Sequence, residues 1–242
     1  MTLPDSEVER VLVVVAHPDD ADFATSGSVA AWVQAGIAVS YCCITDGDAG
    51  GFDPAVDRAD IPGIRRAEQR AAAAELGVTD VRFLGYPDGR LEMSIDLRRD
   101  ISRVIRQVRP QRVVTQSPVR NWQRVYASHP DHLLAGEATL CAVYPDSRNP
   151  FAHPELLRDE GLEEWTVAEV WMMAAPGDQL NHYVDVTEQI DRKIAALGAH
   201  VSQTAHMDVD ALLRNWMGAQ AFAAGYEPGR LAEAFHVIDT KG

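Results

Sequence analysis

Short runs of β-branched and apolar residues alternate with longer stretches in which apolar residues recur with helical spacing. The runs lie at 11–16, 38–45, 81–84 and 112–116, and amphipathic stretches follow them at 26–35, 64–76, 97–108 and 132–143. Four strand–helix repeats are typical of a mostly parallel sheet that is covered by helices on both faces. The pattern therefore predicts an α/β fold, a Rossmann-like three-layer sandwich.

The alternation weakens after residue 145. One strand is predicted at 169–174 and two helices at 187–200 and 209–224. No shift in composition and no internal repeat marks a second folding unit, so we expect a single domain over 1–242. Its core would span about 8–145, and residues from about 146 to 242 would form a C-terminal cap or an extension of the sheet.

Acidic side chains outnumber basic ones by 36 to 22, which gives a formal net charge of −14. This charge repels nucleic acid and anionic membrane surfaces, so we expect neither as a partner. The apolar run at 11–16 is too short for a secretory signal or a membrane span, and we expect a cytoplasmic protein. The three cysteines form no CxxC pair and are expected to be reduced core residues. A homo-oligomer is left open.

The first candidate site follows the first predicted strand, where the chain reads His17-Pro18-Asp19-Asp20. Sites in parallel sheets form at the carboxyl ends of the strands. Pro18 restricts the conformation of His17 and helps to hold its imidazole in one orientation. His17 and Asp20 are three residues apart and can face the same point, while Asp19 projects elsewhere. A simpler role, in which an aspartate caps the next helix, is open for this motif alone.

A related motif, His129-Pro130-Asp131-His132, lies at the start of the fourth predicted helix. Pro130 suits the first turn of a helix, where its missing N–H costs no hydrogen bond. The two histidines are three residues apart, so both imidazoles can point away from one helix face. Helix capping alone does not explain this motif when an upstream His-Pro-Asp-Asp accompanies it.

Two imidazoles and one carboxylate leave coordination positions open, which is typical of catalytic zinc. This composition predicts His17, Asp20 and His132 as the ligands of Zn²⁺, with Fe²⁺ or another divalent metal as the alternative. Bound zinc lowers the pKa of water towards ~7 and polarises a carbonyl group, a combination that suits amide hydrolysis.

Hydrolysis of an amide also needs proton transfer and support for the oxyanion. Asp19 is placed to act as the general base. His129 is placed to protonate the leaving amine or to stabilise the oxyanion, and Asp131 is placed to orient His129 or to fix its charge.

The two motifs together resemble those of the PIG-L/LmbE family of zinc-dependent N-acetylglucosaminyl deacetylases, which includes the deacetylases of mycothiol and bacillithiol synthesis. The resemblance extends over most of the chain. It also covers Thr45-Asp46-Gly47, Arg65-x-x-Glu68, Phe83-Leu84-Gly85 with Asp88, and His200-x-x-Gln203.

The resemblance implies an LmbE-like fold, the same three zinc ligands, and Asp19 as the base. It implies hydrolysis of an N-acyl group, with N-acetyl the first choice, on an amino sugar such as an N-acetylglucosamine conjugate. The substrate contacts would come from Arg65, Asp48 and Asp88.

Some positions depart from the family pattern. Ala127 stands where the mycothiol-pathway enzymes have a tyrosine, which leaves the partner of the oxyanion open, and Asp22 and Asp48 stand where many relatives have glutamate. An amidase acting on a mycothiol-type thiol conjugate and a deacylase of a glycosylated natural product are open alternatives. A 2-His-1-carboxylate Fe(II) oxygenase fits the βα alternation poorly, and a non-catalytic sugar-binding domain would not need Asp19 and His129.

Overall fold

A mixed sheet of seven strands forms the centre of the protein, seen here in a computed structural model that describes residues 2–241. The strands are β1 (Arg10–Val15), β2 (Ala38–Thr45), β3 (Asp80–Tyr86), β4 (Arg112–Gln116), β5 (Glu169–Met173), β6 (His182–Asp185) and β7 (Ala232–Asp239). They lie in the order β3-β2-β1-β4-β5-β7-β6. The first five strands run parallel to one another, and β7 is antiparallel to both of its neighbours.

Helices connect these strands. The α-helices are α1 (Asp20–Ala24), α2 (Ser26–Gln34), α3 (Ile61–Leu76), α4 (Ile95–Val108), α5 (Pro130–Cys141), α6 (Pro154–Arg158), α7 (Ile190–Gly198), α8 (Val201–Thr204) and α9 (Val209–Ala223). Short 3-10 turns lie at Asp5–Glu7, Val125–Ser128, Gly177–Gln179 and Thr187–Gln189, and a π-helical turn at Ala142–Asp146 follows α5.

The central strand β1 shows why such strands are continuous apolar runs. Every residue from 11 to 15 lacks exposed surface. The odd-numbered residues pack in a core with side chains of α2 and α3, and the even-numbered residues pack in another core with side chains of α4 and α5. A strand buried on both faces needs apolar side chains on both. The predicted three-layer α/β fold is thereby confirmed.

The four predicted strand–helix repeats are present, with boundaries that differ by a few residues. The predicted helix at 187–200 is a 3-10 turn at Thr187–Gln189 followed by the shorter helix α7. Strands β6 and β7 were not predicted from the sequence. Four half-buried residues make up β6, and β7 carries the charged Glu233 in its buried part, so neither has the apolar pattern of a central strand.

Strand β5 joins the C-terminal extension to the sheet. It pairs in parallel with β4, and the buried Arg112 donates through Nε to Glu169 Oε1 at 2.6 Å across this pair. The sheet therefore runs past residue 145 without interruption, while the assignment of one domain with a core at 8–145 remains a prediction. No helix within residues 2–241 combines the length and the apolar character that crossing a membrane requires.

The carboxyl ends of β1, β2, β3 and β4 lie at one edge of the sheet because these strands are parallel. Helix α5 lies very close to β4 at this edge. A β-carbon on Gly136 would be 2.2 Å from the carbonyl oxygen of Gln116, an approach that only glycine permits. This close packing brings the start of α5, and with it the second histidine motif, next to the end of β1.

Candidate metal centre and active site

The loop after β1 has a strained backbone at Asp19. Its φ of 90° and ψ of −28° fall in the left-handed region, which residues other than glycine rarely adopt. Arg65 of α3 donates through Nη2 to the Pro18 carbonyl and, at 2.8 Å, to Asp19 Oδ2. Gln69, about one turn further along α3, accepts the backbone N–H of Asp19 at 2.9 Å. A single helix therefore holds this turn by two side chains.

Three imidazoles meet beside this loop. The ring centroids of His17, His129 and His132 lie 5.0 to 5.4 Å apart. Asp20 bridges two of them, with Oδ1 3.0 Å from His132 Nε2 and Oδ2 3.5 Å from His17 Nδ1. Gln116 fixes this carboxylate by donating to Oδ2 at 2.8 Å. The fold thus brings the three predicted ligands together, and their binding of a metal stays a prediction.

Among residues 2–241, two groups of side chains are compact enough to hold a metal ion, and both lie at this edge. They are His17 with His129 and His132, and His17 with Asp88 and Asp131, and in each group the ligand atoms lie within 4.8 Å of one another. The predicted set takes two imidazoles of the first group and adds the Asp20 carboxylate that bridges them. Every one of these sets includes His17.

Three carboxylates surround His17. Its Nε2 lies 2.9 Å from Asp88 Oδ1 and 3.2 Å from Asp131 Oδ2, while its Nδ1 faces Asp20. Burial by itself would lower the pKa of His17, but hydrogen bonds to Asp131, Asp20 and Asp88 raise it to about 12. So much negative charge around one imidazole suits a divalent cation, which would replace the imidazolium proton. The donor set therefore fits a metal ion.

The direction of the His17 ring follows from the same contacts. Asp88 and Asp131 both accept at Nε2, which leaves Nδ1 as the ring nitrogen on the side of Asp20. Histidine ligands usually donate their second N–H to a carboxylate, which fixes the tautomer and the ring orientation. His17 has two such carboxylates.

His129 caps α5 and is set apart from the other two histidines by its protonation. Its Nδ1 accepts the backbone N–H of Asp131 at 3.2 Å. Burial lowers the pKa of His129, and positive charge on His17 and His132 lowers it further. A neutral imidazole that accepts at Nδ1 carries its proton on Nε2. His129 is therefore able to donate a hydrogen bond from Nε2.

The carboxylate of Asp131 does not orient His129, contrary to the expectation from the sequence. Besides its contact with His17, it accepts the backbone N–H of Gly89 at 2.7 Å and that of Leu91 at 3.3 Å. At the start of α5 this side chain points back to the loop after β3, so it is the backbone N–H of Asp131 that contacts His129. Asp131 therefore orients His17, while its negative charge also raises the pKa of His129 against the larger lowering effects of burial and of the other two histidines.

Arg65, predicted to contact the substrate, is only 4% exposed, and its hydrogen bonds go to protein groups. Its Nη1 donates to the Gly47 carbonyl at 3.3 Å, and a β-carbon on Gly47 would lie 2.5 Å from this guanidinium. Burial raises the pKa of Asp19 to about 6, and the charge of Arg65 opposes that rise. Arg65 therefore positions Asp19, the predicted base, and limits the rise of its pKa.

The other two predicted substrate contacts tie two loops together. Asp48, after β2, accepts the backbone N–H of Asp88 at 2.7 Å, and Asp88, after β3, accepts the backbone N–H of Ala49 at 3.2 Å. The other carboxylate oxygen of Asp88 contacts His17 Nε2. The Asp48 side chain is 31% exposed, so a contact between Asp48 and substrate stays a prediction.

The sequence profile of the PIG-L family, described as GlcNAc-PI de-N-acetylase, matches residues 12–143, more than half of the chain. The chain belongs to this family. The match begins in β1 and ends just beyond α5, so it contains both histidine motifs of the PIG-L site. The resemblance found in the sequence is thereby confirmed.

Individual relatives support the assignment to PIG-L over a longer stretch. A "probable N-acetyl-alpha-D-glucosaminyl L-malate deacetylase 2" of Bacillus cereus is 34% identical over 215 residues, which cover 85% of this chain and 90% of that protein. A 1D-myo-inositol 2-acetamido-2-deoxy-alpha-D-glucopyranoside deacetylase of Actinosynnema mirum is 32% identical over 80% of each chain. The structure of N,N'-diacetylchitobiose deacetylase from Pyrococcus horikoshii superposes with a TM-score of 0.87 at 27% identity, covering 97% of this chain and 85% of that chain.

Several polar residues of this PIG-L site were not singled out by sequence reasoning. Gln116 holds Asp20, and its signal was an amide at the carboxyl end of an otherwise apolar strand. Gln69 lies on α3 among other polar residues, and nothing in its spacing marks it. His200, noted only as part of the resemblance, lies 2.9 Å from Asp22 Oδ2 although 178 positions separate the two in sequence.

Proposed function

We propose that this protein is a zinc-dependent deacetylase that hydrolyses the acetamide of an N-acetylglucosamine conjugate. The observation that carries the proposal is the grouping of His17, Asp20 and His132 beside Asp19 and His129 at one sheet edge. The names of the three relatives support the substrate class, because each names an acetylated glucosamine unit joined to a different group.

His17, Asp20 and His132 would hold the zinc ion. Their two imidazoles and one carboxylate leave coordination positions open, as in catalytic zinc sites. When bound, zinc supplies Lewis acidity and lowers the pKa of water towards ~7. Asp88 and Asp131 would keep Nδ1 of His17 free by accepting the hydrogen on Nε2.

Asp19 would take a proton from the attacking water. A base works best when its pKa lies near the working pH, and burial raises the pKa of Asp19 to about 6. The same carboxyl group would then deliver this proton to the leaving nitrogen, so that water and amide become acetate and amine. Arg65 keeps the carboxylate oxygen Oδ2 in place at 2.8 Å.

His129 would stabilise the oxyanion. Its neutral ring offers Nε2–H, because Nδ1 already accepts the backbone N–H of Asp131. A fixed donor of this kind, aimed where charge develops, is worth about 10²–10³ in rate. Tyr126, the tyrosine next to the Ala127 position, is 75% exposed and accepts a hydrogen bond from Arg124, so His129 is the better candidate for this task.

Acetate release from a panel of N-acetylglucosamine conjugates by the zinc-loaded protein tests the proposal. We expect release from at least one conjugate, and we expect Asp19→Asn to lower kcat by about 10²–10⁴ while zinc remains bound. Asp80→Asn is a matched control, because Asp80 also pairs with an arginine, Arg82, but at the amino end of β3. Wild-type turnover by Asp19→Asn, or no release from any conjugate, would overturn the proposal.

A further inference from the structure

A chain of buried polar side chains links the C-terminal extension to Asp19. The backbone N–H of Asp19 donates to Gln69 Oε1 at 2.9 Å, and Gln69 Nε2 donates to Asp22 Oδ2 at 2.8 Å. His200, between α7 and α8, lies with Nε2 2.9 Å from the same oxygen of Asp22. Gln69, Asp22 and His200 have no exposed surface.

This series of hydrogen-bonded side chains ends at Asp19, the residue with the strained backbone. A residue other than glycine at φ of 90° persists only when the surrounding structure holds it there. Asp19 is held at two separate points, because Arg65 contacts its carboxylate and Gln69 contacts its backbone N–H. Gln69 acts on the backbone of Asp19 at its N–H, while Arg65 holds the Pro18 carbonyl of the same peptide group and the first turn of α1 holds the Asp19 carbonyl.

The amide of Gln69 can serve Asp19 in only one orientation. Asp19 offers a donor and Asp22 offers acceptors, so Oε1 must face Asp19 and Nε2 must face Asp22. His200 fixes the Asp22 carboxylate from the other side, at the same oxygen. Loss of His200 would free Asp22 to move and would weaken the hold of Gln69 on the turn.

We propose that Gln69 and His200 are positioning residues for Asp19, keeping its backbone in the left-handed conformation that aims the carboxylate at the substrate. The inference rests on the proposed role of Asp19 as the base. It assigns a task to His200 in the C-terminal extension, far in sequence from both histidine motifs. A loosened turn should slow the proton transfer and leave zinc and substrate binding as they are.

Gln69→Leu is the first test, because leucine fills similar space and makes neither hydrogen bond. We expect kcat to fall by about 10- to 100-fold, with KM within about twofold of wild type and one zinc ion per chain. A second readout does not depend on turnover: backbone hydrogen exchange at Asp19, followed by NMR with ¹⁵N-aspartate label, should become at least about 10-fold faster.

Gln189→Leu is the matched control. Gln189 is also buried and its amide nitrogen donates to Gln34 Oε1 at 2.9 Å, but it makes no hydrogen bond to Gln69, Asp22 or His200. It should lose stability without a change in kcat or in exchange at Asp19. A general effect of removing a buried amide would appear in both variants alike.

His200 supplies the second pair of variants and carries the test if Gln69→Leu does not fold. His200→Leu should lower kcat in the same direction, whereas His200→Gln keeps a donor near the position of Nε2 and should restore most of the activity. A wild-type kcat and unchanged exchange at Asp19 in Gln69→Leu and His200→Leu would overturn the inference. Loss of zinc in these variants would also overturn it, because Gln69 and His200 would then be shown to position the metal ligands.

The outcomes separate this inference from the proposed function. If Asp19→Asn is inactive and both Gln69→Leu and His200→Leu behave as wild type, the function stands and the positioning role is wrong. If Asp19→Asn keeps full turnover, the base assignment itself is wrong, whatever the exchange data show.

Discussion

Replacing Arg65 by methionine tests whether this guanidinium keeps the predicted base ionised. Nη2 of Arg65 lies 2.8 Å from Asp19 Oδ2, and the two side chains are only 4% and 14% exposed. Burial raises the pKa of Asp19 to about 6 against the opposing charge of Arg65. An adjacent arginine lowers a carboxyl pKa by about 1–3 units, so its removal should raise the pKa of Asp19 to roughly 7–9.

The expected loss of activity follows from the ionised fraction. At a pH of about 7.5, a carboxyl group with a pKa of about 6 is roughly 97% ionised, and one with a pKa of roughly 7–9 is about 76% to 3% ionised. The value of kcat/KM should therefore fall by about 1.3- to 30-fold at this pH and recover as the pH rises. Zinc is bound in both proteins and lowers both pKa values of Asp19 alike, so it leaves the displacement of the acid limb unchanged and makes the fold-change at a single pH smaller. The acid limb of the profile moves to higher pH.

The assay is the pH dependence of kcat/KM, with zinc content measured for each protein. Arg66→Met is the control, because Arg66 is the next residue on α3 and pairs with Asp46 at 2.7 Å, away from Asp19. Loss of the buried Arg65 pair also costs about 3–5 kcal/mol of stability, so rates are compared well below the Tm of the variant. An acid limb that does not move in zinc-loaded Arg65→Met would refute the reasoning.

Zinc uptake should release at least about one proton per ion at neutral pH, because His17, with a pKa of about 12, is protonated until a metal binds. Titration calorimetry in two buffers that differ in ionisation enthalpy measures this number, and a heat that does not depend on the buffer would contradict it. Lys193→Met should lower the free energy of unfolding by about 3–5 kcal/mol, because Lys193 Nζ lies 2.7 Å from Glu233 Oε1 and neither side chain is exposed. Urea denaturation measures the loss, and one below about 1 kcal/mol would show that Glu233 is satisfied by its other partners. Gly136→Ala should cost at least about 1–3 kcal/mol in the same assay, since a β-carbon at that position meets the Gln116 carbonyl at 2.2 Å; unchanged stability would show that α5 moves away freely.

The parallel part of the sheet was predictable chiefly because its central strands are apolar on both faces. Strands β1 and β2 are almost entirely buried, so their residues form continuous apolar runs that mark them in the sequence. β7 gave no such signal. Its Glu233 is buried because Lys193 and the backbone N–H groups of Gly27 and Ser28 contact its carboxylate, and partners at least 40 positions away are not visible in local periodicity.

The grouping of the predicted ligands was predictable for a different reason. The two motifs lie at the end of β1 and after β4, and parallel neighbouring strands end at the same edge. The partners of Asp131 and Arg65 were not predictable, because they depend on how the loop after β3 and helix α3 pack against the loop after β1. Sequence spacing shows which residues can share a face, but it does not show which acceptor a buried guanidinium reaches.

The position of the bound metal tests the central claim most directly. A crystal of the zinc-loaded protein, measured at the zinc absorption edge, should show one anomalous peak within about 2.0–2.2 Å of a nitrogen of His17, a nitrogen of His132 and an oxygen of Asp20. A peak coordinated by His17, Asp88 and Asp131, or by the three histidines without Asp20, would contradict the proposed site.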